Sequence, residues 1–153
     1  MSKIRVDQIV NNAGTGPVDF PHGATQNGQP IGGGGASLDT KGNLFLGSYA
    51  GCSNTNGYCN VVIGDYAFCS NTTGSYNNVF GPYAGYQNTT GSYNNFFGYD
   101  AGYCNTSGSY NNFFGYCSGF YNDTGECNVA IGPYSLCNNT SGSCNVAIGY
   151  GAG

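Results

Sequence analysis

Apolar side chains recur along this chain in short groups, and each group holds the same place in a repeat of 17 residues. An asparagine opens every repeat unit, and a glycine follows four residues later. Positions within a unit are counted from this asparagine as position one. The seven units begin at residues 43, 60, 77, 94, 111, 128 and 145, and the seventh stops at Gly153.

The apolar triplet at positions two to four predicts a short strand in each unit, as in Leu44–Leu46 and Val61–Ile63. A second strand is predicted around the Y-A-G segment at positions seven to nine. The intervening N-T-T-G segment predicts a turn, in which asparagine bonds its own backbone and glycine supplies a positive φ. A unit of 17 residues is too short for a propeller blade or a two-helix repeat. The prediction is therefore an all-β fold, a β-solenoid whose coils stack about 4.8 Å apart.

Stacked coils place every residue above its copy in the preceding coil, so asparagines can form amide ladders and tyrosines can stack. Position four is large and apolar in every unit, and we predict that it forms a ladder in the core or between the chains of a trimer. The row consists of Leu46, Ile63, Phe80, Phe97, Phe114, Ile131 and Ile148. Position three is also apolar, although neighbours in a strand face opposite ways. One face can line the interior of the coil and the other needs a partner chain, which predicts a homo-oligomer.

Composition and charge exclude several classes of function. Charged residues make up 7% of the chain, against about 25% in typical proteins. The net charge is −4 and only Lys3, Arg5 and Lys41 are basic, too few to neutralise the phosphates of a nucleic acid. No run of about 20 apolar residues indicates membrane insertion. The N-terminus lacks the apolar stretch of a signal peptide, which predicts synthesis in the cytoplasm without one.

Catalytic chemistry has no candidate residues here, so the prediction is that the chain is not an enzyme and carries no cofactor. We find no paired carboxylates, phosphate loop or catalytic Ser-His set. The eight cysteines lack the CxxC spacing of a zinc site, which argues against a metal. The single histidine, His22, stands in a segment rich in glycine and proline.

Cysteines cluster at positions ten and seventeen, which flank the N-T-T-G turn. If these positions face each other across the turn, Cys52 pairs with Cys59 and Cys137 pairs with Cys144. A second geometry links equal positions in adjacent coils, Cys52 with Cys69 and Cys127 with Cys144, because the coil spacing lies within disulfide range. Reduced thiols that serve as small hydrophobes are the third alternative.

Residues 1–35 differ from the repeats that occupy 36–153 and predict a separate N-terminal arm. Ile4, Val6, Ile9 and Val10 favour one extended strand that could attach to another protein. The glycines at 32–35 predict a flexible hinge before the repeats. The alternative is that this segment caps the first coil, since terminal repeats need protection.

The segments NVAIGPYSL (128–136) and NVAIGYGAG (145–153) resemble the head repeats of trimeric autotransporter adhesins. They are still more similar to related repeats in phage tail-fibre and tail-spike proteins. The resemblance implies a left-handed parallel β-roll in which three chains pack around a common axis. The segment at 2–25 is similar to the opening of structural and fibre proteins of tailed phages, particularly those that infect cyanobacteria.

The resemblance implies a structural virion protein, the shaft of a tail fibre that attaches to the particle and carries host-recognition elements. Its expected partners are two further copies of itself, phage tail or baseplate proteins, and a host-surface glycan. Its expected location is the virion, after synthesis in the host cytoplasm. Two alternatives stay open: an adhesin that binds glycans through its tyrosine-rich surface, and a self-assembling extracellular filament. An uncapped last coil also leads us to expect that the natural chain continues, because open strand edges are normally covered.

Overall fold

The computed structural model describes residues 25–26, 29–30 and 38–153. The chain divides into two units, Met1–Gly35 and Ala36–Gly153. In the first unit, β1 (Thr25–Gln26) pairs antiparallel with β2 (Gln29–Pro30). The predicted attachment strand with Ile4, Val6, Ile9 and Val10, and the predicted glycine hinge, lie outside the described residues.

The second unit is a β-solenoid in which each repeat contributes one strand to a parallel sheet. The strands follow in chain order across the sheet, and every paired residue lies 17 positions from its partner. Their bounds are β3 Leu44–Leu46, β4 Val61–Ile63, β5 Asn78–Phe80, β6 Asn95–Phe97, β7 Asn112–Phe114, β8 Val129–Ile131 and β9 Val146–Ile148. The predicted all-β solenoid of 17-residue repeats is therefore confirmed, with its strands at the apolar triplets.

Backbone hydrogen bonds between coils continue beyond the strands and around the whole circumference. Gly51 N donates to Ala67 O at 3.0 Å, next to the Y-A segment of the coil. Thr72 N donates to Thr89 O at 2.9 Å in the N-T-T-G segment. Each coil is thus hydrogen-bonded to the next on all sides, although only three residues per coil form a regular strand.

The predicted second strand around Y-A-G is wrong, because this segment is a turn with left-handed backbone. Position seven has a positive φ in every complete unit, and Tyr66 is typical with a φ of 57°. Position nine is also left-handed, as at Phe68 with a φ of 54°. Left-handed backbone costs an ordinary residue about 1–2 kcal/mol and cannot continue a strand.

Glycine serves two different purposes in the coil. At position five it provides positive φ, as at Gly81 with a φ of 132°, where a Cβ would lie 2.6 Å from Gly98 O. At position fifteen, the glycine of N-T-T-G, the predicted positive φ is wrong. That glycine is needed for space instead, because a Cβ on Gly108 would lie 2.5 Å from Asn105 Oδ1. The left-handed residue of this turn comes two positions later, as at Tyr76 with a φ of 58°.

The core of the coil is filled jointly by positions three and nine. Position three points inward, and its side chains are buried in the inner strand row from Val62 to Ala147. Where position nine is large, position three is small, and Phe68 and Leu136 are both buried. Where position three is phenylalanine, position nine is glycine, and a Cβ on Gly102 would lie 2.8 Å from the Phe96 ring. In the third coil, where position nine is Gly85 beside Val79, the Phe68 and Phe96 rings of the adjacent coils occupy the space, and a Cβ on Gly85 would lie 2.8 Å from the Phe96 ring.

Two buried asparagine ladders run through the stacked coils, as expected from the repeat. At position one, each side-chain carbonyl accepts the backbone N–H of the next asparagine, for example Asn94 Oδ1 from Asn111 N at 2.9 Å. The same amide donates to a turn carbonyl, Asn94 Nδ2 to Gly108 O at 2.9 Å. At position twelve the amides bond each other, as in Asn105 Nδ2 to Asn88 Oδ1 at 2.7 Å. Every buried side-chain nitrogen or oxygen in the described residues has a hydrogen-bond partner.

Candidate functional site

The seven side chains at position four form one continuous row on the outer face of the parallel sheet. They are partly exposed: Leu46 by 40%, Phe114 by 37% and Ile131 by 41%. In the coil of a single chain they therefore lie outside the core, because alternation along the strand directs position three inward and position four outward. The trimer ladder expected at this row stays a prediction. In the middle of the row, the Phe80, Phe97 and Phe114 rings stack, with centroids 4.7 and 4.9 Å apart.

Position two shares the outer face with this row and varies along it. It is apolar at both ends of the sheet, as at Leu44 and Val146, and is asparagine in the three central strands. The central asparagines form a third amide ladder: Asn78 Nδ2 donates to Asn95 Oδ1 at 2.9 Å, and Asn95 Nδ2 donates to Asn112 Oδ1 at 2.7 Å. The face thus combines an apolar row with a short polar row beside it.

Exposed tyrosines form two stacked columns on other parts of the coil surface. Tyr76, Tyr93 and Tyr110 lie at position seventeen, with successive centroids 4.9 Å apart. Tyr49 and Tyr66 begin the column at position seven, with centroids 4.9 Å apart. The predicted tyrosine stacking is confirmed, and its rings lie on the surface, where they are open to other molecules.

One pair of cysteines adopts the geometry that links adjacent coils. Cys52 and Cys69 form a disulfide at position ten, with their Cα atoms 5.0 Å apart. The predicted pair Cys52–Cys59 is therefore wrong, and Cys137 and Cys144 are both free thiols, so that predicted pair is not formed either. The physical reason is that equal positions of neighbouring coils are stacked one coil spacing apart. Cys127 is also free, which leaves the pair Cys127–Cys144 of the second geometry unformed.

Burial reduces the reactivity of the three less exposed thiols. It raises the pKa of Cys104, Cys117 and Cys137, so the nucleophilic thiolate is less populated at neutral pH. Among the described residues, no three His, Cys, Asp or Glu side chains are grouped so that they could hold a metal ion. The part of the chain that the structure describes contains no helix with the length and apolar character to span a bilayer.

The N-x-S/T segments also resemble glycosylation sites, but in the second to fifth coils their asparagines belong to the buried ladder. Asn71, Asn88, Asn105 and Asn122 are fully buried, and their amides are hydrogen-bonded to neighbouring coils. An amide in this position is inaccessible to a glycan-transferring enzyme in the folded chain. The turn chemistry of N-T-T-G accounts for these segments.

Sequence reasoning missed one feature, an open cleft of about 360 Å³ beside the tyrosine columns. It is lined by Tyr83, Tyr99, Asp100, Tyr103 and Phe120. The repeat carries a signal for this cleft. Tyrosine stands at position seven in the first three units, whereas in the fourth unit position seven is Asp100 and the tyrosine stands at position six.

Comparison with protein-family models, with curated proteins and with solved structures found no match to this chain.

Proposed function

We propose that this chain is a structural protein of a phage virion, the shaft segment of a homotrimeric tail fibre. Three solenoids would pack around a common axis as left-handed parallel β-rolls. The observation that carries the proposal is the partly exposed apolar row at position four. The inner face of the same sheet already has its own core, so the outer row is free for another chain.

Association through this row is favoured by the hydrophobic effect. Completing the burial of a partly exposed Leu, Ile or Phe side chain stabilises an assembly by about 1 kcal/mol. Seven such side chains on each of three chains offset the cost of association, which is about 4–15 kcal/mol. Because the row is straight and the coils are in register, identical chains can align along its full length.

The proposed role is mechanical. Hydrogen bonds around the circumference and the asparagine ladders tie each coil to the next, which resists bending and proteolysis. The segment at 1–35, with Ile4, Val6, Ile9 and Val10, would attach the shaft to tail or baseplate proteins. The repeats would carry or extend host-recognition elements on the virion, after synthesis in the host cytoplasm.

The trimer is tested by light scattering of the purified full-length chain, which should give three times the chain mass of 15.8 kDa. Replacing Phe97 and Phe114 by serine should shift the mass to that of one chain. A matched control replaces Tyr93 and Tyr110 by serine, a stacked pair of similar exposure on another surface, and should stay trimeric. A monomeric wild-type chain would overturn the trimer, and antibody labelling of intact virions tests the location.

The second candidate function is glycan recognition by the tyrosine columns. The observation that favours it is the exposed stack of Tyr76, Tyr93 and Tyr110, whose phenol hydroxyls form a row of hydrogen-bond donors and acceptors for sugar hydroxyls. A glycan array probed with the purified chain tests it, and Tyr93→Ala should abolish any specific signal. A self-assembling filament is distinguished in the light-scattering experiment, where its mass would exceed a trimer and grow with concentration.

A further inference from the structure

The tyrosine column at position seven is interrupted at the fourth coil. Tyr66 and Tyr83 stack nearly parallel, with centroids 5.3 Å apart and an angle of 3° between the rings. In the next coil Asp100 occupies position seven, and the tyrosine stands one residue earlier, at Tyr99. The Tyr99 ring meets Tyr83 at 64°, with centroids 6.0 Å apart, instead of stacking on it.

A second aromatic column bounds the space that this interruption opens. Tyr86, Tyr103 and Phe120 stack at position ten, with successive centroids 5.2 and 5.1 Å apart. The Tyr83 ring is tilted by 57° against the Tyr86 ring of this column. The resulting open cleft of about 360 Å³ is lined by Tyr83 and Tyr99, by Tyr103 and Phe120 of the second column, and by Asp100.

Asp100 differs from the other aspartates of residues 38–153 in having no hydrogen-bond donor on its carboxylate among those residues. Asp39 accepts from Asn43, Asp65 accepts from Ser48 N at 2.8 Å, and Asp123 accepts from Thr106. Burial among the aromatic rings raises the pKa of Asp100. Lys41, the one basic residue in this range, bonds Asn56 at a distant part of the solenoid. The carboxylate is therefore partly desolvated without a compensating charge.

We propose that this cleft binds a compact organic cation, an alkylammonium group such as the trimethylammonium of choline. Aromatic faces attract cations through their quadrupole, by about 0.5–2 kcal/mol for each ring with an open face. Here Tyr83 and Tyr99 supply such faces, because their rings meet at 64° instead of stacking. The half-buried Asp100 carboxylate adds an attraction of opposite charges. Rings set at large angles around one carboxylate suit a rounded cation better than a flat sugar ring, which would pack on a single aromatic face.

The cation site is independent of the proposed fibre assembly, because it is built only from groups within coils three to five of one chain. The cleft lies at positions six to ten, whereas the proposed assembly row lies at position four. A monomer would retain the cleft, and a trimer would carry three copies of it. An experiment can therefore contradict the cation site without contradicting the trimeric fibre, and the reverse.

The test is titration of the full-length chain with choline, followed by tyrosine fluorescence and by NMR line broadening of the choline methyl signal. We expect saturable binding with a dissociation constant on the order of 1 mM. The neutral isostere 3,3-dimethyl-1-butanol has the same shape and should bind about tenfold more weakly, because it lacks the charge. Equal binding of the isostere, or no saturation with choline, would overturn the proposal.

Variants identify the site. Asp100→Asn removes the charge while keeping a residue that tolerates left-handed backbone, and should weaken choline binding about tenfold. Asp65→Asn is the matched control in another coil and should bind choline like the wild type. Circular dichroism of both variants checks the fold. Unchanged affinity in Asp100→Asn, or saturable binding of methyl glucoside in place of choline, would contradict a cation site.

Discussion

At the residue scale, the interior of most coils is filled by a pair of positions that exchange volume. Position three and position nine carry Val62 with Phe68 in one coil and Phe96 with Gly102 in another. Both arrangements leave the core closed, since Phe68 and Phe96 are fully buried. The same inward space is thus reached from the strand or from the left-handed turn that follows it.

This exchange predicts the effect of moving the ring from one position to the other. Phe68→Gly should lower the free energy of unfolding by about 3–5 kcal/mol, because it leaves a cavity. Val62→Phe alone should cost about 1–3 kcal/mol through overpacking. The double variant reproduces the pair Phe96 and Gly102, and should be more stable than Phe68→Gly alone. Urea denaturation measures all three, and costs that simply add in the double variant would contradict the shared volume.

Tyrosine titration is the second residue-scale property that the structure changes. Interaction with the Cys117 thiol, and then with the Tyr134 phenol, raises the pKa of Tyr116 to about 12. The charge of Tyr58 raises the pKa of Tyr76, and burial raises that of Tyr103. The folded chain therefore holds these protons more tightly than the unfolded chain, in which tyrosine titrates near pH 10.

The sign of the effect on stability follows from this difference. The stability that these raised tyrosine pKa values contribute to the folded chain is complete below about pH 10. It is lost as the pH rises from there towards about 12. We expect the free energy of unfolding to fall across this alkaline range. Urea denaturation at successive pH values measures this fall. The free energy of unfolding of the Tyr116→Phe variant should fall less steeply with pH. A stability that is constant above pH 10 would contradict the raised pKa values.

At the scale of the element, equal positions in neighbouring coils are the contacts that the solenoid makes available. The Cys52–Cys69 disulfide uses this relation at position ten. Cys127 and Cys144 stand in the same relation at position seventeen, where both have left-handed backbone and Cys144 N donates to Glu126 O at 2.9 Å. Tyrosines at the same position in earlier coils stack with centroids 4.9 Å apart.

Mild oxidation of the folded chain should therefore join Cys127 to Cys144. A cross-link across a loop of this length stabilises a protein by about 3 kcal/mol. Peptide mapping without reduction identifies the bond, and Cys144→Ser should remove both the bond and the added stability. Recovery of Cys137 linked to Cys144 would instead show that positions ten and seventeen approach each other across the turn.

At the scale of the whole molecule, the solenoid is a stack in which each coil contacts only its neighbours. Strand pairs, stacked phenylalanine rings and asparagine ladders join equal positions of neighbouring coils, 17 residues apart. Stability in such a stack is close to a sum of coil and interface contributions. Its length can change by whole coils without disturbing the contacts of the others.

Deletion of residues 94–110 removes one complete unit and places Asn77 directly below Asn111. The shortened chain should keep its β-type circular dichroism and unfold cooperatively, with somewhat lower stability. Deletion of 94–102 removes about half a coil and should prevent folding of the following units, because it breaks every ladder. Loss of folded structure in the whole-unit deletion would contradict the independence of the coils.

The period of 17 residues was enough to predict the solenoid, the seven strands and the asparagine ladders. An invariant spacing of Asn, Gly and an apolar triplet leaves few ways to stack copies in register. The strand at Val61–Ile63, for example, has the bounds that its sequence predicts. The tyrosine stacks follow from the same repetition, because identical residues must lie above one another.

Only the tertiary structure decided which apolar row faces inward, where the backbone turns, and which cysteines meet. Val62 and Ile63 are both apolar, so composition cannot assign the inner face; the direction in which the coil closes assigns it to Val62. The conformational free energy of left-handed backbone at Tyr66 is offset by inter-coil contacts that no local pattern reveals. Cys52 meets Cys69 because stacked positions are one coil apart. The cleft at Asp100 exists because Tyr99 and Tyr116 stand one position earlier than the tyrosines of the preceding coils.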